Sequence, residues 1–149
     1  MQVLALLIEH SVGLVLAKIF CVDPKVVANI WPHAKPLLEP AFDETSDSTI
    51  DATKTDLMSG LALLWLAWDG KKLIAAATTA INKTPRHKIC IVTSAGGVHS
   101  KLWDQFMPMV EKYAKAEGCE RVRAMGRKGW AKVLSGYEQP WIVLDKVLV

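Results

Sequence analysis

A chain of 149 residues, 51% of them hydrophobic, can bury a core without disulfides or a metal, so one self-supporting domain is the expectation. Its formal net charge of +3 calls for no anionic partner on balance alone, which leaves nucleic-acid binding without support from composition. Cys21, Cys90 and Cys119 are odd in number, lack CxxC spacing and sit among apolar neighbours; they read as reduced core thiols of a cytosolic protein.

The first twenty residues, MQVLALLIEHSVGLVLAKIF, are apolar, but Glu9, His10 and Lys18 interrupt them, and a spanning helix wants about 20 nearly unbroken apolar residues. No basic leader region or small-residue cleavage site marks a signal peptide. Residues 1–22 are therefore expected as an apolar helical extension packed on protein rather than lipid. The surface that residues 1–20 cover is either this chain's own or that of another copy or partner. Residues 23–149 are expected as the main domain.

Asp23-Pro24 is a helix start, with Asp as the cap and Pro where its missing N–H costs nothing, and the helix is expected to run to about Trp31. Pro32, Pro36 and Pro40 then punctuate the chain. The polar stretch AFDETSDSTIDATKTD reads as an exposed connection, the least ordered interior segment, before a short helix ending near Gly60. From Leu61 the period changes. LALLWLAW, the Asp69-Gly70 hairpin signal, LIAAATTAI and, after NKTPRH, KICIVTS predict a three-stranded antiparallel meander, apolar on both faces and so covered on both sides. After Ala95-Gly96-Gly97, the spacing of Leu102, Phe106, Met109, Val110 and Tyr113 predicts a helix ending at Gly118, with Pro108 inside it. CERVRAM reads as a strand, GRKGWAKVLSG as a short helix and QPWIVLDKVLV as a final strand.

That order of elements resembles the GNAT N-acyltransferase superfamily from about Asp23 to Val149. LLWLAWDG, EGCERVRAMGRKGWAKVL and the closing Tyr137 to Leu148 segment are similar to small GNAT-like proteins of tailed phages and prophages. The resemblance implies an α/β fold: a mixed sheet, antiparallel meander then helix-strand-helix-strand, with helices on both faces. It also implies that KICIVTS splays from its neighbour and pairs through Ile91, Val92 and Thr93 with the pantetheine arm of acetyl-CoA or a related acyl-CoA. The pyrophosphate would lie on backbone donors of the following turn and helix start, Ala95, Gly96, Gly97, Val98, His99, Ser100 and Lys101, where the dipole favours anions. The superfamily's usual Gln or Arg followed by Gly-x-Gly or Gly-x-Ala does not occur after Gly97, and a Gly-Gly pair that merely turns the chain is the competing reading.

Acyl transfer to an amine needs a base and often an acid. Strand interiors from Leu61 to Ser94 hold no carboxylate or histidine; Thr78, Thr79 and Thr93 are their polar groups and are expected to bond locally. His99 stands near the place of a base, against the alternative of a solvated loop histidine. Tyr137, just past the short helix, stands near the place of the superfamily's acid, against the alternative of a packed ring. Arg121, Arg123, Arg127, Lys128 and Lys132 form the densest basic cluster, open to three readings: solvated surface, phosphate or CoA contact, or nucleic acid. Of the six tryptophans, Trp65, Trp68, Trp130 and Trp141 are expected in the core, and Trp31 and Trp103 either there, lining a pocket or anchoring a partner. The histidines have no ligand spacing, so no metal is expected. These readings converge on an acyl-CoA-type cleft with N-acyltransferase activity in a bacterial cytoplasm. The alternative is a catalytically silent assembly or interaction protein of a phage particle or host-takeover system, packaged in a virion.

Overall fold

A computed structural model describes residues 5–7, 17–97 and 100–149. Among these residues, six strands form one sheet in sequence order: β1 (Ala5–Leu7), β2 (Lys18–Val22), β3 (Leu63–Trp68), β4 (Leu73–Lys83), β5 (Lys88–Gly97) and β6 (Arg121–Ala124). All neighbours are antiparallel except β5 and β6, which run parallel through the crossover helix α3 (Trp103–Ala116). Helices α1 (Val27–Leu38) and α2 (Ile50–Ser59) cover one face; α3 and the four-residue α4 (Trp130–Val133) cover the other.

Both faces of the meander are buried, as its apolar runs require. On the α3 side, Trp65, Ala75, Ala77, Cys90 and Val92 pack against Phe106, Val110 and Ala114. On the α1 side, Leu64, Leu66 and Ala76 pack against Val27, Trp31, Ala34 and Leu38. The Asp69-Gly70 turn forms as its sequence demands: the Asp69 carboxylate accepts from the backbone N–H groups of Lys71 and Lys72, and Gly70 takes φ +99°.

Four expected elements and two expected burials are corrected. The N-terminal segment is not helical where it is described: Ala5–Leu7 and Lys18–Val22 are paired strands, and β2 joins the main sheet beside β3. The rest of residues 1–16 lies outside the described residues. Helix α1 does not stop at Trp31 but runs through Pro32 and Pro36 to Leu38. Both prolines are on its exposed side, and burial of Trp31, Ala34 and Leu38 outweighs the lost backbone bonds. The polar connection is shorter than expected: the Asp43 carboxylate accepts from Thr45 N and Thr45 Oγ1, Thr49 caps Ala52 N, and α2 is helical from Ile50. Finally, Glu138 to Val149 forms no strand, leaving Trp141 and the residues after it exposed. Trp68, 37% exposed, is also less buried than expected. Among the described residues, no helix is long and apolar enough to cross a membrane.

Candidate functional site

The site begins where two parallel strands part. Strand β5 pairs with β6 from Ile89↔Arg121 to Val92↔Ala124 and no further, so Thr93 to Gly97 continue with no strand on that side among the described residues. At the same level, the β4–β5 register jumps: Thr78 faces Ser94 and Thr79 faces Val92, which leaves Thr93 as the extra residue of a β-bulge. Bulge and divergence together make a wedge-shaped notch above Val92. Val92 lies at its apex, but Ile91 and Val92 are still paired with Arg123 and Ala124 of β6, so of the three residues expected to offer open backbone to a ligand only Thr93 does so.

The notch is narrow. Its cavity of about 30 Å³, room for a water or two, is lined by Val92, Ser94, Ala95, Trp103, Met107 and Trp130, among others. Trp130 packs edge-on against Trp103, ring centroids 5.1 Å apart, and lies against Gly126, where an added Cβ would come within 2.7 Å of its ring. Sequence reasoning placed Trp130 in the core and did not foresee it as the side chain that fills the wedge. The only sequence signal was its position in the short glycine-flanked helix Gly-Trp-Ala-Lys-Val.

Gly96 and Gly97 do not turn the chain; they are the last residues of β5. Their lack of a side chain has a packing cause. A Cβ at Gly96 would sit 1.9 Å from the Leu37 carbonyl oxygen of α1, and one at Gly97 would sit 2.7 Å from the Ala75 Cβ of β4. Val98 and His99 lie outside the described residues, while Lys101 is exposed at the helix start.

The hydroxyls of the strand interiors bond locally, as expected. Trp65 Nε1 donates to Thr79 Oγ1 at 2.9 Å. Thr78 Oγ1, fully buried, lies 2.7 Å from Thr93 Oγ1 and also bonds Ser94 Oγ, so three hydroxyls meet at the bulge. This cluster satisfies Thr78 inside the sheet and fixes the bulge that sets the notch.

Tyr137 sits one layer away. Its ring packs on the α3 side of the core, and its buried hydroxyl lies near the Glu111 carboxylate with no partner at hydrogen-bond geometry among the described residues. It faces a second cavity of about 140 Å³ together with Asp104, Glu111 and Ser135. Trp103, Met107 and Leu134 line both cavities and separate them. Burial, reinforced by the nearby Glu111 carboxylate, raises the phenol well above its ordinary pKa and keeps it protonated.

The basic cluster is divided rather than convergent. The Arg123 guanidinium stacks 5.5 Å from the Trp141 ring centre, and Arg127 donates to Pro40 O at 3.1 Å and lies 3.4 Å from Asp43 Oδ2. Arg121, Lys128 and Lys132 are exposed.

The thiols are shielded. Burial pushes Cys21 up to about 12 and Cys90 up to about 11 from the ordinary value of 9.0, with Asp23 and Cys119 adding to the two shifts respectively. Because the thiolate is the reactive form, both should resist thiol reagents at pH 8 until the chain unfolds. The same shifts set an alkaline limit. Unfolded thiols lose protons near 9 while the folded ones keep theirs, so the stability they contribute is fully present below that pH and is lost as pH climbs toward 11 to 12. Guanidinium unfolding midpoints should therefore stay level through neutral pH and fall above pH 9; a midpoint that rises there would refute the assignment.

No protein-family model matches the sequence, and no curated protein matches it by sequence. Solved structures match over most of the chain. An aminoglycoside acetyltransferase from an uncultured soil metagenomic sample, in complex with sisomicin, is 11% identical with TM-score 0.68, covering 89% of this chain and 96% of its own. A predicted acetyltransferase from Clostridium acetobutylicum, with acetyl-CoA, is 16% identical with TM-score 0.62 over 87% and 96%. Aminoglycoside N-acetyltransferase AAC(6')-Iy, in complex with CoA, is 15% identical with TM-score 0.65 over 89% and 94%. The chain has the GNAT acetyltransferase fold, a mixed α/β sheet with helices on both faces.

Proposed function

We propose that the protein is an acyl-CoA-dependent N-acyltransferase whose cofactor arm enters the β5–β6 notch. The observation that carries this reading is the divergence of two parallel strands after Val92↔Ala124, which leaves the β5 backbone from Thr93 to Ala95 open to a ligand. Two features fit an acyl-CoA. The free strand edge matches the amides of a pantetheine arm, and the buried Tyr137 hydroxyl, beside the Glu111 carboxylate, has no partner at hydrogen-bond geometry among the described residues. Bound acyl-CoA supplies an activated thioester carbonyl. The backbone of Thr93 to Ala95 pairs with the arm above Val92, with Trp130 and Met125 moving aside. Ser100, Lys101 and the backbone from Gly96 through Val98 and His99 hold the phosphates, and the fixed bulge keeps the β5 edge in one position. Tyr137 holds the proton for the departing thiolate, and His99 takes one from the amine. A bacterial cytoplasm, where thiols stay reduced, suits this chemistry.

A second reading, the catalytically silent assembly or interaction protein of a phage particle, is favoured by the indole-filled notch and by strand interiors without carboxylate or histidine. Thiol release from acetyl-CoA, followed over a panel of primary amines that includes aminoglycosides, separates the two. Amine-dependent release supports the enzyme; none from folded protein at any amine supports the silent fold.

A further inference from the structure

The segment after β6 borders the notch on a light attachment. From Met125 to Ser135, Leu134 is the one buried residue, and the four residues of α4 bury none. Glycines stand at positions 126, 129 and 136, and the backbone at Gly126 lies directly against the Trp130 ring. Arg127 ties the segment to the connection between α1 and α2 through Pro40 O and Asp43. The Arg127 side chain is 71% exposed and that of Asp43 43%, so water and salt weaken the tie. What remains is the indole: Trp130, edge-on against Trp103, lines the same cavity as Val92, Ser94 and Ala95.

We infer that Trp130 is a releasable plug, which holds the notch shut in the free protein and leaves it when the acyl-CoA arm enters. The inference rests on the acyl-CoA reading above and adds a control on that same site. A cavity of about 30 Å³ admits a water or two and no arm, so the ligand binds a second, open state. The plug is a poor match for what it covers. An indole offers one N–H donor, whereas the β5 edge from Thr93 to Ala95 presents donors and acceptors with no strand on that side among the described residues. A ligand carrying amides satisfies that edge, and the ring does not. Release also disturbs little, since Trp130 packs on Trp103 and Gly126 and takes part in no strand pairing. Its cost appears as a lowered apparent affinity: a notch open one time in ten binds about tenfold more weakly than one always open.

Two variants test this from opposite directions. Trp130→Ala removes the ring. Gly126→Ala keeps it but places a Cβ 2.7 Å from its Cδ1, where a side-chain atom rather than backbone gives way. Titrated calorimetrically with acetyl-CoA beside the parent, both variants should bind on the order of tenfold tighter, with far-ultraviolet dichroism unchanged. Should Trp130→Ala fail to fold, Gly126→Ala alone decides. Equal or weaker binding by either folded variant, beside a parent that binds, overturns the plug, makes Trp130 a fixed wall or a ligand contact, and leaves the acyl-CoA reading intact. Binding by none of the folded proteins overturns the acyl-CoA reading itself, and the plug as a gate for that ligand with it.

Discussion

Gly96→Val should cost roughly 3 kcal/mol or more of folding stability, a large share of what a domain this size possesses. The first atom of any side chain there would fall 1.9 Å from the Leu37 carbonyl oxygen, and that oxygen belongs to helix backbone, which cannot rotate away as a flexible side chain could. Relief requires α1 to lift from the sheet, uncovering the apolar contacts of Trp31, Ala34 and Leu38. Gly129→Ala is the control. Nothing lies within 4 Å of its added Cβ and its φ is −58°, so stability should hold or rise slightly. Urea unfolding of the two variants beside the parent checks both; equal midpoints for Gly96→Val and the parent would refute the close packing of α1 on β5. Gly97→Val meets Ala75 in the same way, so a loss of ligand binding in that variant would report folding rather than phosphate contact.

Tyr137→Phe should lower acyl transfer by on the order of 100-fold while leaving acetyl-CoA binding and unfolding midpoints nearly unchanged. The hydroxyl has no partner at hydrogen-bond geometry among the described residues, so its removal takes away a proton donor and little packing. In the structure the ring lies behind Leu134, Met107 and Trp103, so a ligand in the notch reaches Tyr137 only if these side chains give way as well as Trp130. Full activity in Tyr137→Phe would remove it from the chemistry and leave it as a packed ring.

The strands of the meander were legible because Leu63 to Trp68, Leu73 to Ile81 and Lys88 to Ser94 are continuous apolar runs separated by strong turn signals. Helix α1 was legible only at its Asp23-Pro24 start. The solvent-facing placement of Pro32 and Pro36 depends on which side of the helix meets the sheet, which local sequence does not state. Gly96-Gly97 read as a turn because the reason for glycine, the approach of Leu37, comes from a residue almost sixty positions away. The site divides in the same way. The resemblance pointed to Ile91, Val92 and Thr93, but where β6 leaves β5 is a matter of pairing between distant segments, and the filling of the notch by Trp130 and Trp103 arises from contacts between α4 and α3 that no local pattern encodes. The closing segment was read as a final strand from its apolar pattern, and the structure forms none there: a strand needs a partner edge, which local pattern does not state.

Calorimetric titration of acetyl-CoA into the full-length protein tests the central claim most directly. The account predicts saturable binding with a Kd between about 1 µM and 1 mM, weakened several-fold in Lys101→Ala, whose exposed charge lies at the helix start beyond the notch and whose loss leaves the core untouched. A folded parent protein that takes up no acetyl-CoA at millimolar concentration would contradict the account and leave the GNAT fold here without its cofactor.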